Sequence, residues 1–185
     1  MGNNAFTFVA GDSGTWRATR QEVVVGPPLA RFSALKIEQG PFGELPANAV
    51  WQLRGVTSNE RYVTRSEKTA LVAKQPPLGR PEATRAALIP LRKSQAWWDL
   101  MQDERRAILE TRSQHIELGL KYLPAIARRL HHSRDLGEAF DFVTWFEYAP
   151  EHESAFEDLV AKLRATEEWR YIEREVDIRL EREST

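Results

Sequence analysis

The pattern of apolar and polar positions changes its period along the chain. In "AFTFVAG" and "TWRATRQEVVV", separated by the turn "GDSG", β-branched and aromatic residues dominate. "ARFSALKIEQG" and "NAVWQLRGV" follow, divided by Gly- and Pro-rich connectors, and all four runs predict strands. At Thr57 the period turns helical. Thr57 and Glu60 frame a capping box, and good helix formers continue to Lys74. "QPPLGRP" must be a connector, because its three prolines lack donors and fix φ.

The second half predicts strand, helix, strand, helix, strand. "TRAALIPLRK" reads as a strand. Ser94 then offers the cap of a helix running to about Leu123, with Ile108, Ile116, Leu120 and Leu123 as its buried stripe. Pro124 interrupts that helix, and a second short one is expected to end near His132. In "AFDFVTWFEYA", Phe140, Phe142, Thr144, Phe146 and Tyr148 share one face of a strand. "PEHESAFEDLVAKLRA" starts a helix with proline and acids. "WRYIEREVDIRLER" sets Ile172, Arg174, Val176, Ile178 and Leu180 against charged alternates, as an edge or half-exposed strand would. The sum is α+β, and it suits a ferredoxin-like unit with helices on one face of an antiparallel sheet.

Composition narrows what such a fold does. With 185 residues and a 42% apolar share, one compact unit with a real core is expected. A net charge of −1 creates no global field for nucleic acid or anionic membrane. The absence of cysteine removes disulfides, thiolate metal sites and cysteine nucleophiles. "MGNNAFTFVAGDSG" lacks the form of a secretory signal, Phe6 breaks the myristoylation pattern, and no apolar run nears the roughly 18 residues that span a bilayer. A soluble, cytoplasmic protein is expected.

The chemistry-bearing residues concentrate in "HIELGLKYLPAIARRLHH", which holds three of the four histidines. His131 and His132, beside Arg128, Arg129 and Arg134, read as the basic C-terminal end of a helix. The same group is the one patch a nucleic-acid-binding module would use, and the near-zero net charge argues against it. His152 belongs to the first turn of an acidic helix and reads as a surface residue. His115, in mid-helix beside Ile116 and Leu120, suits either a satisfied core residue or a ligand. Zinc is unsupported: there is no HExxH, no cysteine, and no histidine at i+3 or i+4. A metal at His115 would need a cofactor to supply most of the coordination, and haem needs one proximal histidine. Trp97, Trp98 and Trp145 suit plain core or the wall of a flat cofactor. No nucleophile elbow, P-loop or dinucleotide fingerprint is present.

Six stretches in one order carry a resemblance: "NERYVTRSEK", "QPPLGRP", "LIPLRKSQAWW", "HIELGLKYLPAIARRL", "FDFVTWFEYAPEHESAFEDLV" and "LRATEEWRYIEREVDIRL". Together they resemble the chlorite dismutase family of haem b enzymes. The resemblance implies a pair of ferredoxin-like halves forming a dimeric α+β barrel: a shortened N-terminal half over residues 1–82 and a haem-binding half over residues 83–185. His115 matches the proximal iron ligand, Glu168 the carboxylate on its other nitrogen, and Lys93 the lysine of that pair. Arg128 matches the distal arginine and Gln75 a distal glutamine of short members. Tyr62, Trp97, Thr144 and Phe146 resemble pocket residues, with Tyr62 and Trp97 near the propionates. The implied cofactor is haem b (iron protoporphyrin IX), and the implied reaction turns chlorite into chloride and dioxygen through ferryl and hypochlorite species that recombine. The shortened N-terminal half resembles the lineage that forms homodimers. Alternatives from the same pocket are a non-catalytic haem sensor or carrier and a peroxidase-like relative. A coproheme-decarboxylase-like relative is a further one, away from which Arg128 points.

Overall fold

A computed structural model describes residues 4–57, 69 and 74–182. Its strands are β1 (Ala5–Gly11), β2 (Trp16–Val25), β3 (Ala34–Gln39), β4 (Trp51–Val56), β5 (Arg85–Lys93), β6 (Ala127–His132), β7 (Phe142–Tyr148) and β8 (Ile172–Glu181). They close into one antiparallel barrel in the order β1-β3-β2-β8-β5-β7-β6-β4. Each run of four strands repeats one arrangement, its fourth strand beside its first, then its third, then its second. That is the ferredoxin-like order, used twice around a ring.

The first run keeps this order without helices in its crossovers. β1 and β2 both lie antiparallel to β3, so they run parallel to each other, and a parallel pair normally needs a long crossover. Here only Asp12 to Thr15 join them. The stagger explains it: β2 starts at Trp16 opposite Leu35, level with the end of β1, and runs on past β3. The turn crosses so close to β3 that a Cβ on Gly14 would collide with the Leu35 carbonyl. Beyond that point β2 finds its partner in β8.

Alternation along the strands gives the wall two apolar faces. Phe6, Phe8, Leu35, Leu53, Leu88, Trp145, Val176, Ile178 and Leu180 fill the barrel. Ile89, Leu91, Phe146, Tyr148 and Ile172 face outward and are covered by α4 (Glu153–Arg164) through Phe156, Leu159, Val160 and Leu163, one stripe of that helix. Three short helices precede it: α1 (Gln95–Asp99), α2 (Gln102–Arg106), which runs into a π-helical turn (Ala107–Arg112), and α3 (His115–Lys121). Among the described residues no helix is long and apolar enough to cross a membrane.

Several expectations are overturned. The single helix from Ser94 to Leu123 is three, broken at Leu100 and by the left-handed Gln114, and the Ser94 side chain makes no capping bond. The short helix expected to end at His132 is the strand β6, because its register with β7 buries Ala127 and His131. His131 and His132 therefore mark no helix end, and Arg129 and Arg134 do not form a solvated basic tip. Arg129 lies 3.8 Å over the Phe6 ring, and Arg134 lies 3.9 Å over Trp98. Phe140 packs inside the barrel, off the Phe142–Tyr148 face. β8 is no edge strand: it pairs with β2 and β5. Three of its charged alternates, Glu175, Asp177 and Arg179, are buried beneath α4, where Arg164 binds Glu175 and Asp177, and Arg179 binds Asp177 and Glu157. The helix predicted from Thr57 to Lys74, Tyr62 included, lies almost wholly outside the described residues.

His131 is fully buried with both ring nitrogens used. Arg129 Nε donates to its Nε2 at 3.0 Å, so Nδ1–H donates to the Val143 carbonyl at 2.9 Å. Burial first, with Arg129 and His132 nearby, pushes its pKa down from 6.5 to about 4, against the pull of the Val143 bond. Between pH 6.5 and 4 the unfolded chain therefore binds a proton that the native one refuses. Stability should be fully present above pH 6.5 and fall by about 3 kcal/mol on acidification through that window. Urea unfolding of wild type and His131→Gln should show a shallower pH slope for the variant; parallel slopes would disprove the assignment.

Candidate active site

The outer face of the second run of strands forms the floor of a cavity of about 580 Å³, roofed by α3 and α4. That volume lies in the range that holds cofactor-sized ligands. Antiparallel register puts Arg128 beside Phe146, Leu130 beside Thr144 and His132 beside Phe142 on this floor. Ile89 and Leu91 continue it across β5.

Lys93 closes the floor at the end of β5. The ladder with β8 shifts between Arg92 and Lys93, and such a bulge re-aims the side chain that follows it. Lys93 Nζ reaches Glu168 Oε1 at 2.6 Å and lies 4.1 Å over the Trp97 ring. Its own N–H donates to Asp141 Oδ2 at 2.7 Å. Glu168 sits in the 3₁₀ turn Glu167–Tyr171, with its backbone N–H on Ser113 Oγ at 3.1 Å. Its second oxygen, Oε2, is 2.7 Å from His115 Nδ1.

His115 is therefore not a mid-helix residue; it opens α3 directly after Gln114. A π-turn followed by a left-handed residue is sparsely populated backbone of the kind found at functional sites. With Nδ1 held by Glu168, Nε2 remains to face the cavity. Burial alone would raise the Glu168 carboxyl, but the charges and hydrogen bonds of His115 and Lys93 bring it down to about 2. Glu168 is a carboxylate at neutral pH.

Arg128 stands on β6, and Gln75 Nε2 donates to its backbone carbonyl at 2.6 Å. Its guanidinium lies against Gly119, one turn along α3 from His115. Trp97, Gln75, Thr144 and Phe146 all line the same cavity. Of the residues expected at the site, Tyr62 alone lies outside the described residues; the other eight converge here.

Sequence reasoning missed part of the wall. Asp141 is buried and takes hydrogen bonds from the Lys93 backbone, from Trp98 Nε1 at 3.2 Å and from Arg134 Nη1 at 3.4 Å. Trp98, already a wall candidate on sequence, lines the cavity and has the guanidinium groups of Arg134 and Arg105 over its ring. Trp169 Nε1 donates to Glu175 Oε2 at 2.8 Å, tying the Glu168 turn to the buried charges of β8. No local spacing announced these contacts, which join residues distant in sequence.

Among the described residues no three His, Asp or Glu side chains converge as ligands of one ion. One histidine opening on a largely apolar cavity could hold a metal that a macrocycle carries. A model of the family described as chlorite dismutase matches residues 34–182.

The chain belongs to the chlorite dismutase family.

A dimeric chlorite dismutase from Nitrobacter winogradskyi is 60% identical, covers 96% of this chain and 99% of its own, and superposes with a TM-score of 0.88. The imidazole-complexed chlorite dismutase from Candidatus Nitrospira defluvii, 20% identical, covers 98% of this chain and 92% of its own with a TM-score of 0.70, a likeness of fold. The chlorite dismutase from Ideonella dechloratans is 34% identical over 86 residues, which are 46% of this chain but 28% of that longer protein.

The buried ion pair makes a prediction. Glu168→Ala leaves the Lys93 ammonium buried without its partner, which should cost the haem-free protein about 3–5 kcal/mol in urea unfolding. Lys93→Met combined with Glu168→Gln should recover at least half of that loss. A double variant as unstable as the single one would show that the pair is not what stabilises this corner.

Proposed function

We propose that the chain is a haem b enzyme that decomposes chlorite to chloride and dioxygen. The observation that carries this reading is the relay Lys93–Glu168–His115, ending at a cavity that Arg128 also lines. His115 Nε2 would hold the iron, and apolar Ile89, Leu91, Phe146, Val160 and Leu163 would enclose the ring. Haem b would supply redox-active iron for breaking chlorine–oxygen bonds and joining the two oxygens.

The protein's own residues do the rest. Glu168, accepting from His115 Nδ1, makes the imidazole a stronger donor and fixes its plane. Lys93 keeps Glu168 ionised, so the proton stays on His115 Nδ1. Chlorite is already an anion at neutral pH, so no base is needed to prepare it. What it needs is a cation that admits it and retains the hypochlorite formed when the first bond breaks. Arg128 suits that task, since a guanidinium stays charged and offers several donors in one plane. The apolar floor strengthens the attraction by excluding water. A homodimer is the assembly we propose, because the 60%-identical relative is dimeric.

Haem titration should give a ferric Soret band that His115→Ala weakens at least tenfold in affinity. The loaded protein should evolve oxygen from chlorite in an oxygen-electrode trace. Arg128→Ala should retain haem yet lose at least tenfold in turnover or lifetime, with hypochlorite appearing in a scavenger assay. Loaded protein that evolves no oxygen would instead make this chain a haem carrier.

A further inference from the structure

We infer that Gly119 is a positioning residue for Arg128. The inference rests on the reading of Arg128 as the anion-binding cation. Gly119 lies buried inside α3, and glycine is the poorest helix former after proline, so alanine would be the better helical choice there. Its φ is not positive, and no tight turn requires it. What distinguishes the position is its neighbour. A Cβ built on Gly119 would stand 3.4 Å from Arg128 Nη1, 3.5 Å from Cζ and 3.6 Å from Nη2. Three nearly equal distances are those of a planar guanidinium lying face-on over that position.

Gly119 thus leaves a bare strip of helix backbone as a seat for the charge. Arg128 has four side-chain torsions, and an unseated guanidinium would spread over many rotamers. The seat confines the guanidinium, while Gln75 anchors the Arg128 backbone through its carbonyl. It also places the charge one helical turn from His115. A methyl group fits at ordinary contact distance, whereas a longer side chain takes the space that the guanidinium occupies.

Nitrite, a small bent oxyanion like chlorite in shape and charge, is the probe. Its dissociation constant, read from the Soret shift of the haem-loaded protein, should change less than twofold in Gly119→Ala. In Gly119→Leu, a good helix former, it should weaken at least fivefold. In an Arg128→Ala background the leucine substitution should change it less than twofold. Gly119→Ser carries the same comparison should leucine prevent folding. A leucine or serine effect that persists without Arg128, or no effect with it, overturns the inference. Arg128→Ala alone leaving nitrite affinity unchanged would instead overturn the reading of Arg128, so the two failures are distinguishable.

Discussion

The site depends on one buried carboxylate. Glu168 accepts from Lys93 on one oxygen and His115 on the other, and both contacts are short. Neither partner alone would keep the arrangement. An ionised carboxylate without a buried partner is costly, and a buried ammonium equally so, whereas the pair needs only good geometry to persist. That geometry comes from four places: the bulge ending β5, the 3₁₀ turn before β8, the Ser113 hydroxyl, and the break at Gln114 that opens α3. These irregular features of the second half converge on this carboxylate. Regular helix from Ser94 to Leu123 would have no bend at which to aim His115 at it.

The barrel gives that corner a rigid support, and it does so with less chain than two complete ferredoxin-like units need. Staggering β2 past β3 removes one crossover helix, and β2 then spends its length on β8. β8 in turn carries the Arg164–Glu175–Asp177–Arg179 network on its outer face. The short first run therefore backs the same strand whose far side anchors α4 and, through Trp169, the Glu168 turn. A first run without crossover helices still leaves the cavity walls of the second run complete.

Seven of the eight strands were legible because each carries a local pattern, β-branched or alternating, that no helix would. β6 was not. "ARRLHH" has no apolar alternation, since its outward residues face a cavity and its inward ones include a polar histidine; only pairing with β7 makes it a strand. β8 was found as a strand but misplaced as an edge, because buried charge mimics solvent exposure whenever the countercharges come from elsewhere, here α4. The site residues were legible through resemblance rather than physics. Nothing local told His115 from a satisfied core histidine, and the bond that does so spans 53 positions. Gly119 and Asp141 carry no signal at all outside the fold.

The misread strand is also the one that carries Arg128, the cation of the proposed reaction. β6 alternates its basic side chains between two faces: Arg128 and His132 stand on the outer one, over the cavity, while Arg129 and His131 stand on the inner one, where Arg129 lies over Phe6 although it also borders the cavity. A slip of one residue against β7 would exchange the two faces and turn Arg128 inward. Nothing in the similarity of the side chains forbids that exchange, so the register must be held by contacts unique to each face. Inside, His131 donates to Val143, accepts from Arg129 and meets Phe6 and Phe8 edge-on. Gly55 on β4 leaves just enough room, since a Cβ there would stand 2.6 Å from the His131 Cβ. A slip of one residue would bring Leu130 or His132 to that place, the first with no donor for Val143 and the second with Leu130 instead of an arginine two positions before it. The buried histidine therefore helps fix which of the two neighbouring arginines stands on the outer face, where the proposed anion site would need it.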